Sequence, residues 1–266
     1  MKYRIQEVSD MVGVTPQTIR FYEKYGILPA DRGESGKQRR YSVIDINILM
    51  RSRMYRNAGF TLAESSELQN DVSVQGMEER YRNKAAELER ELVWKQRVLN
   101  RMKQDADLLG KIEQYRYQVT ETVSPAGYGM LYSLGGRGTT IAKELREKVR
   151  SWVNFMPVVQ PLVYFYRDKL PSSGRNLGFF LPEEAGDYLE QLDSEGVFPI
   201  PPQKCVYTVL DGYTREHDSA FYVNAFLERL DREGTQLSGN PYGRVITSLD
   251  CGRTYHFYAE VWFPVG

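Results

Sequence analysis

The hydrophobic pattern of the chain is most regular between Glu78 and Leu109, a stretch that contains neither proline nor glycine. Small or apolar residues recur there at alternating steps of three and four, at Tyr81, Ala85, Leu88, Leu92, Leu99, Met102, Ala106 and Leu109. Lys95 interrupts this register, although its methylene stem can lie along an apolar seam while its amine reaches water. The alternation is typical of a coiled coil, so we predict a long helix that pairs with a second copy of the chain. A long helix that folds back on its own chain is the alternative.

The N-terminal segment predicts two short helices separated by a tight turn. Apolar residues three and four apart indicate a helix over Ile5–Val12, and Gly13 ends it. Thr15 is a good N-cap residue, and Pro16 then occupies the first helical position before a helix over Gln17–Tyr25. A helix, a glycine turn and a capped second helix form a helix-turn-helix, whose second helix enters the major groove of DNA.

The next segment predicts a wing and two further helices. Turn-forming residues fill positions 31–36, and residues 38–41 indicate a returning strand. A third helix is predicted over Val43–Ala58. Four of its apolar residues are expected to face inward: Ile46, Leu49, Met50 and Met54. Thr61 and Glu64 have the spacing of a capping box, which predicts the start of a fourth helix.

Beyond Leu109 the pattern changes to short tyrosine-rich strands, with one helix in each half. The first half predicts strands at 115–122, 128–134, 161–168 and 177–182 and a helix at 139–154. The second half predicts strands at 204–211, 242–249 and 253–264 and a helix at 219–234. An acidic segment, 183–196, joins the halves and is predicted to be a helix with a loop. We therefore predict an α+β protein whose C-terminal domain contains two strand–helix–strand–strand repeats.

Strand alternation in the C-terminal part predicts a small-molecule pocket. In the last strand, His256, Tyr258, Glu260 and Trp262 share one face. A carboxylate among aromatic rings suits a bulky organic cation, because ring faces attract the cation and the acid neutralises it. The candidate effector-binding residues are Glu260, Tyr132, Trp152, Tyr164, Tyr166, Tyr207, Tyr258 and Trp262. Aromatic residues on strands are also common in cores and cross-strand pairs, and Glu260 could instead lie on a solvated face with His256.

Composition limits the class of protein. Of the 266 residues, 41% are hydrophobic, an ordinary fraction for a soluble protein. There is no run of eighteen apolar residues and no signal-peptide layout at the N-terminus, so we expect a cytoplasmic protein with no membrane partner. Two cysteines and two histidines are too few for a zinc ribbon, and no cofactor or metal is expected. Cys205 and Cys251 are expected to be buried small hydrophobic residues.

The formal net charge of zero conceals a basic N-terminal segment. Between Thr15 and Arg56, nine lysines and arginines stand against four acidic residues. This excess predicts a surface that binds phosphate groups. A merely solvated basic surface would show the same excess, but the helix-turn-helix pattern on the same residues favours a nucleic acid.

The N-terminal motifs resemble the DNA-binding domain of MerR-family transcription regulators. Five motifs carry the resemblance, Ile5-x-Glu7-Val8, Thr18-Ile-Arg20-Phe21-Tyr22-Glu23, Gly26-Ile-Leu-Pro29, Gly36-x-x-Arg39-Arg40-Tyr41 and Gly59-Phe60-Thr61-Leu62. They occur in the order and spacing of the family. Phe21 is a mild departure, since many relatives have a tyrosine there. The resemblance implies three segments, a winged helix-turn-helix domain at 1–75, an antiparallel coiled-coil dimerisation helix at 76–112 and an effector-binding domain at 113–266.

The same resemblance implies the positions of the DNA contacts. Residues expected to face base edges or adjacent phosphates are Thr15, Gln17, Thr18 and Arg20. Residues expected to hold the backbone at the flank are Tyr22, Arg39, Arg40 and Tyr41. Phe21 and Lys24 complete the set on the exposed side of the second helix. Phosphate contacts position such a protein on DNA, and a few base contacts specify the sequence.

The C-terminal half resembles the gyrase-inhibitor-like effector domain of multidrug-sensing members of the family, in its predicted topology and in its closing Glu260-Val-Trp-Phe-Pro-Val. This resemblance implies a ligand-responsive activator of transcription that is not an enzyme. Its implied partners are double-stranded promoter DNA, RNA polymerase, a second copy of the chain and a hydrophobic or cationic small molecule. The ligand would control how the dimer distorts promoter DNA.

Three other functions stay open. A metal or redox sensor would need cysteines near the dimerisation helix, and the first cysteine of this chain is Cys205. A small-molecule hydrolase could use Glu260 as a general base, but neither His217 nor His256 has a matching serine or cysteine motif. A constitutive DNA-binding protein without a ligand is the third alternative, and the large C-terminal domain argues against it.

Overall fold

The computed structural model describes residues 2–28, 39–70, 73–133, 141, 143–170, 175–213, 219–252 and 255–266, and it describes only the backbone at 219 and 220. The chain forms two compact units, Met1–Trp94 and Lys95–Gly266. Several features predicted from the sequence fall outside the described residues: Pro29, the turn at 31–36, the turn at 135–138 and His217.

The N-terminal unit consists of short helices and one small strand pair. Its elements are β1 (Tyr3–Arg4), α1 (Ile5–Val12), α2 (Pro16–Lys24), β2 (Arg40–Tyr41), α3 (Val43–Asn57), α4 (Leu62–Asn70) and the first turns of α5 (Val74–Gly110). The returning strand, β2, pairs antiparallel with β1 at the start of the chain. The helix-turn-helix predicted from the sequence is therefore present, with a strand beside it.

Local sequence signals set the ends of these helices. Gly13 ends α1 with φ 69°, a left-handed conformation that glycine adopts without steric cost. Thr15 caps α2, because its side chain accepts a hydrogen bond from the backbone N–H of Thr18. The predicted capping box at α4 also forms, since the N–H of Glu64 donates to the Thr61 hydroxyl and the N–H of Thr61 donates to the Glu64 carboxylate.

The inward face of α3 differs from the prediction. Ile46 and Leu49 are buried as expected. Met50 and Met54 are 49% and 51% exposed, so their predicted inward position is wrong. Tyr55 is buried instead and packs with Phe60 and Leu68. The helix contacts α1 on one side and α4 on the other, so its buried stripe follows steps of three rather than the predicted face.

The C-terminal unit is built around one eight-stranded sheet with the order β3-β8-β10-β9-β5-β6-β4-β7 and antiparallel neighbours throughout. Its strands are β3 (Thr120–Val123), β4 (Gly127–Ser133), β5 (Gln160–Tyr164), β6 (Asn176–Pro182), β7 (Phe198–Ile200), β8 (Lys204–Tyr213), β9 (Tyr242–Asp250) and β10 (Tyr255–Pro264). Its helices, besides the last turns of α5, are α6 (Ile112–Tyr115), α7 (Arg146–Val153) and α8 (Ser219–Arg232), with 3-10 turns at Lys143–Leu145, Arg167–Lys169 and Glu183–Glu190.

Two predicted elements of this unit are different in the structure. The strand predicted at 115–122 begins only at Thr120, because Ile112–Tyr115 is helical and Tyr117 has a positive φ of 55°. The Tyr117 hydroxyl donates to the carbonyl of Asp211, so this segment crosses the end of β8 instead of extending a strand. The predicted helix at 183–196 is a 3-10 helix over Glu183–Glu190.

The two faces of the sheet have different partners. On β10, Phe257, Val261 and Phe263 pack with apolar residues of α8 and form one core. The alternate residue Trp262 packs with Tyr207 and Tyr242 on the other face, as strand alternation predicts. This second face contains the cavity described below. Among the described residues, no helix has the length and apolar character required to cross a membrane.

Candidate nucleic-acid interface and ligand cavity

Helix α2 presents a polar and basic surface. Gln17, Arg20 and Lys24 are exposed, and Phe21 is exposed beside them. On the opposite side, Ile19 is completely buried in the core of the N-terminal unit. The helix therefore has one face fixed by packing and one face free for a partner. Thr18 is partly buried at the start of the exposed face.

Thr15 is exposed, but its hydroxyl already has an intramolecular role. The oxygen lies 3.1 Å from the backbone nitrogen of Thr18 and 2.8 Å from the Thr18 hydroxyl. The side chain thus satisfies a backbone N–H that would otherwise lack a partner at the start of α2. Its effect on any bound DNA would act through the position of the helix as much as through contact.

Glu23 joins the wing strand to α2, a role that sequence reasoning missed. The Tyr41 hydroxyl donates to one carboxylate oxygen of Glu23 at 2.8 Å, and Nε of Arg39 donates to the other at 2.7 Å. Burial, reinforced by the hydrogen bond to Glu23, raises the pKa of Tyr41. The sequence feature that could have indicated this role is the position of Glu23 as a single acid among basic residues.

Tyr22 and Tyr41, two of the residues expected to hold the DNA backbone, have buried side chains. Arg39 and Arg40 are partly exposed. Since the Tyr41 hydroxyl donates to Glu23, it supports the wing from within. On α3, the guanidinium of Arg53 donates to the carbonyls of Val12 and Gly13, so this arginine stabilises the turn between α1 and α2.

A cavity of about 640 Å³ lies on the face of the sheet that does not pack against α8. The last turns of α5 form one wall, and strands form the floor. Its lining residues are Arg101, Gln104, Leu108, Pro125, Ala126, Gln160, Phe180, Pro182, Glu183, Glu184, Arg244 and Glu260. A second opening of about 530 Å³ shares Arg244 and Glu260 and is also lined by Tyr207 and Trp262.

Glu260 is the buried acid of this cavity, with 4% of its surface exposed. Arg244 lies directly opposite on β9, and its Nη2 is 2.5 Å from Oε1 of Glu260. Its Nη1 donates to the side-chain oxygen of Gln160. The hydroxyl of Tyr207 lies 3.5 Å from Oε2 of Glu260. The acid that the sequence suggested as a counter-charge is thus already paired within the protein.

Aromatic rings enclose the same guanidinium. The Cζ atom of Arg244 is 4.9 Å from the ring centre of Trp262 and 5.3 Å from that of Phe180. Tyr242 stacks against both rings, at 5.1 Å and 6.1 Å. We call Glu260, Tyr207, Phe180 and Trp262 the Glu260 cage. Carboxylate and ring faces together form the environment that favours an organic cation.

Burial alters the acid–base properties of groups around the cage. Burial and then the charge of Glu260 raise the pKa of Tyr207, so its phenol stays neutral. Burial and then the charge of Arg244 lower the pKa of Arg101, while the carboxylate of Asp105 raises it. Burial raises the pKa of Cys205 to about 11, which favours the neutral thiol over the thiolate.

The structure brings together only part of the predicted effector site. Glu260, Tyr207 and Trp262 meet at the cage. Tyr132 and Trp152 do not, because both rings pack on Phe179, which alternates with Phe180 and faces the other side of the sheet. Tyr132 and Trp152 therefore do not line the cavity, contrary to the prediction. The indole of Trp152 donates to the carbonyl of Asp193 and is completely buried.

The remaining predicted aromatics do not line the cavity. Tyr164 lies beside the cavity face, but its ring packs against Tyr166 and Phe198, and its hydroxyl accepts a hydrogen bond from Asn240. Tyr258 packs with His256 near the opposite end of β10. The sequence did not suggest the other lining residues of this cavity. Among them, Gln160, Phe180 and Arg244 lie on strands, and only the register of those strands could have indicated them.

The cysteines and histidines that the structure describes form no metal site. Within the described residues, no group of three or more His, Cys, Asp and Glu side chains could hold a metal ion. His256 pairs with Asp211, with Nε2 2.8 Å from the carboxylate. Cys205 is buried as expected, whereas Cys251 is exposed, so the prediction that both are buried is wrong for Cys251.

Comparison with known proteins adds information about the N-terminal unit. Residues 3–71 match the family described as MerR HTH family regulatory protein. The chain is 38% identical over 72 residues to the HTH-type transcriptional activator TipA of Streptomyces coelicolor, covering 27% of this chain and 28% of that protein. It is 41% identical over 69 residues to the mercuric resistance operon regulatory protein of Bacillus cereus, covering 26% of this chain and 52% of that protein.

The family match ends at residue 71, and the chain spans 28% and 52% of the length of these two curated relatives. Among solved structures, the EcmrR–DNA complex in EcmrR-RPo aligns with 99% of this chain and 99% of its own, at 17% identity and a TM-score of 0.36. A likeness of that size supports no inference about the C-terminal unit.

Proposed function

We propose that this chain, whose residues 3–71 form a MerR-type helix-turn-helix segment, is a homodimeric DNA-binding regulator of transcription that responds to a small molecule. The observation that carries the proposal is the exposed surface of α2 within that segment. Gln17, Arg20 and Lys24 project from a helix whose other side is fixed by packing. A helix of this kind reads base edges in the major groove and contacts the adjacent phosphates.

The DNA contacts divide into two groups in this proposal. Gln17 and Arg20 reach base edges, while Lys24 and Arg40 contact phosphates. The buried Tyr22 and Tyr41 hold α2 and the wing in position instead of contacting DNA through exposed rings. Arg39 forms an ion pair with Glu23, so it contributes less to phosphate binding than Arg40.

The test of this function is the salt dependence of DNA binding. Arg40→Ala removes one cation from the wing, so we expect weaker binding to duplexes of every sequence and a log–log salt slope smaller by about one. Fluorescence anisotropy over a series of salt concentrations measures both quantities. Arg150→Ala, which removes an exposed arginine from α7, is the matched control and should leave the slope unchanged. An unchanged slope for Arg40→Ala would contradict the role of the wing.

The apolar seam of α5 supports the homodimer. Leu92 and Met102 are 66% and 61% exposed in the single chain, and four other large seam residues are exposed with them: Tyr81, Leu88, Leu99 and Leu109. A second copy of the same helix would cover this stripe, and the heptad spacing fits such a pairing. The antiparallel orientation is part of the proposal, since the family resemblance implies it.

The cavity of the C-terminal unit is the proposed effector site. Its volume of about 640 Å³ lies within the range typical of small-molecule sites. Phe180 places an aromatic ring at its lining, covered by the guanidinium of Arg244, and Glu260 is a buried acid. These features favour a bulky aromatic or cationic molecule. A ligand held there also contacts α5 through Arg101, Gln104 and Leu108, and it can change transcription only if it binds two states of the dimer with different affinity.

A further inference from the structure

The Glu260 cage already contains a cation that belongs to the protein. The guanidinium of Arg244 lies 2.5 Å from Glu260 and within cation–π distance of Trp262 and Phe180. We propose that Arg244 is an internal competitor for the cage, and that a bulky organic cation binds by displacing this guanidinium from Glu260. The inference rests on the proposed effector site and identifies the residue that determines its specificity.

Charge explains why the two cations exclude each other. Glu260 is the one acid of the cage, and the ion pair with Arg244 compensates it. An incoming monocation at Glu260 would otherwise lie beside the positive charge of Arg244, with Glu260 as the one buried acid between them. Like charges in a partly buried site oppose each other, so the carboxylate and the ring faces can serve one cation at a time.

The guanidinium of Arg244 does not have all its hydrogen bonds satisfied, and this makes its displacement feasible. Among the described residues, its buried Nε–H has no hydrogen-bond partner, although its two terminal nitrogens contact Glu260 and Gln160. A buried donor without a partner weakens the bound arrangement. Glu183 and Glu184 line the same cavity and are exposed, so they offer the displaced guanidinium a solvated counter-charge.

The competition defines the class of effector. Arg244 uses the rings of Trp262 and Phe180 at the wall of the cavity, and the rest of the volume of about 640 Å³ is free for other groups. A ligand displaces it only if it adds a large apolar surface to a delocalised positive charge. Small cations lack the surface, and neutral aromatic molecules lack the charge. The expected effector is therefore a bulky lipophilic monocation.

The direct test compares tetraphenylphosphonium with the neutral triphenylphosphine oxide by isothermal titration calorimetry. Arg244→Met removes the competing charge and keeps an apolar chain against the rings. We expect it to bind tetraphenylphosphonium at least about tenfold more tightly than the wild type, and the neutral probe within about twofold. Glu260→Gln should weaken binding of the cation in the wild-type background and in the Arg244→Met background.

Arg97→Met is the matched control. Arg97 also pairs with an acid, Asp187 at 2.8 Å, and lies 4.5 Å from an aromatic ring, that of Tyr188. Arg97 is not part of the Glu260 cage. Its removal should therefore leave the affinity for tetraphenylphosphonium within about twofold of the wild type, a change smaller than the loss of one cation–π contact would cause. An equal gain in both variants would show a general charge effect and overturn the proposal.

A measurement on the wild type covers the case in which Arg244→Met does not fold, since breaking a buried ion pair is destabilising. The Nε–Hε resonance of Arg244, identified by its loss in Arg244→Lys, should shift when tetraphenylphosphonium binds and should exchange faster with water. Triphenylphosphine oxide should leave it in place. A resonance that does not respond to the bound cation overturns the displacement.

The outcomes separate this inference from the proposed function. If Glu260→Gln abolishes binding of the cation while Arg244→Met binds no more tightly than the wild type, the effector site stands and the competition fails. If tetraphenylphosphonium binds neither the wild type nor Arg244→Met, the cation site fails as well. The DNA-binding function is tested independently by the salt slope of Arg40→Ala.

Discussion

Buried tyrosine hydroxyls stabilise the C-terminal unit only while they remain protonated. Tyr242 donates its hydroxyl hydrogen to the carbonyl of Pro125 at 2.8 Å, and burial is the largest cause of its raised pKa. Burial likewise raises the pKa of Tyr207. In the unfolded chain these phenols ionise near pH 10. The folded form therefore binds more protons than the unfolded form above that pH.

This difference predicts a loss of stability in alkali. A raised pKa in the folded state gives stability that is complete below about pH 10 and is lost as the pH rises further, at about 1.4 kcal/mol per pH unit for each tyrosine. Tyr242→Phe removes one of these groups. At about pH 9 it should be less stable than the wild type by about 1 kcal/mol, through the lost hydrogen bond. Its stability should then fall less steeply with pH.

Urea unfolding, followed by the fluorescence of the buried Trp152 and Trp262, measures the stability at each pH. The gap between the wild type and Tyr242→Phe should close between about pH 9 and about pH 11, as the sign of the linkage requires. Parallel curves would contradict a raised pKa for Tyr242.

Residue type alone did not show which aromatic side chains are structural. Tyr22, Tyr41 and Trp152 were assigned to binding surfaces from the sequence, and the structure buries all three. The reason is physical, since large rings bury more apolar area than most side chains and are as useful in a core as in a site. Glu260 could be identified as the acid of the cavity because it lies on the same face of one strand as Trp262. Strand alternation of this kind can be read directly from neighbouring residues in the sequence.

Among the secondary-structure elements, α2 shows how a cap influences a binding surface. The Thr15 hydroxyl accepts the N–H of Thr18 at 3.1 Å, so the start of the helix depends on this side chain. Thr15→Ala should destabilise the N-terminal unit by about 1 kcal/mol and weaken DNA binding. Thr15→Asn, which keeps a capping oxygen, should restore most of the stability.

Thermal unfolding by circular dichroism measures the first effect, and anisotropy with duplex DNA measures the second. If Thr15 acts only through the cap, affinity for DNA follows stability across the two variants. A loss of affinity in Thr15→Asn without a loss of stability would reveal a direct contact instead.

The hairpin of β9 and β10 shows why Arg244 could not be found from the sequence. Tyr255 pairs with Asp250 at the start of the hairpin, and this register would set Val245 opposite Glu260. A bulge between Tyr258 and Ala259 shifts the pairing by one residue and brings Arg244 there instead. A one-residue shift moves side chains to the opposite face, and no hydrophobic pattern encodes it.

At the scale of the whole molecule, the proposed homodimer rests on the apolar seam of α5. Leu92 is a seam position, and Val93 is an exposed neighbour about 100° further round the helix. Leu92→Glu should introduce a charge into the seam of both copies and raise the dissociation constant of the dimer by about tenfold or more, which corresponds to at least about 1.4 kcal/mol. Val93→Glu should leave it unchanged.

Sedimentation equilibrium over a range of protein concentrations gives both constants. A Leu92→Glu protein that dimerises as tightly as Val93→Glu would show that the seam does not face a second copy. The helical content of both variants, measured by circular dichroism, excludes loss of the helix as the cause.

Most elements of the chain could be predicted, but their assembly could not. The helices of the N-terminal unit, and the strands from Lys204 onward, follow from capping residues and strand alternation. The sheet order, in which β9 lies beside β5, comes from contacts between distant parts of the chain. The ion pair of Arg244 with Glu260 depends on that order and on the bulge. Local patterns therefore locate Glu260, whereas its pairing with Arg244 can be seen only in the folded chain.

The last four turns of α5 carry two sets of side chains with different proposed roles. Arg101, Gln104 and Leu108 line the cavity, whereas Leu99 and Met102 belong to the seam. In the proposed dimer, neighbouring positions of residues 95–110 therefore belong to two different surfaces. Under the proposed function, a substitution in this wall changes a residue next to the seam. Arg244 lies on β9, so a substitution there alters the proposed effector site and leaves both surfaces of the helix intact.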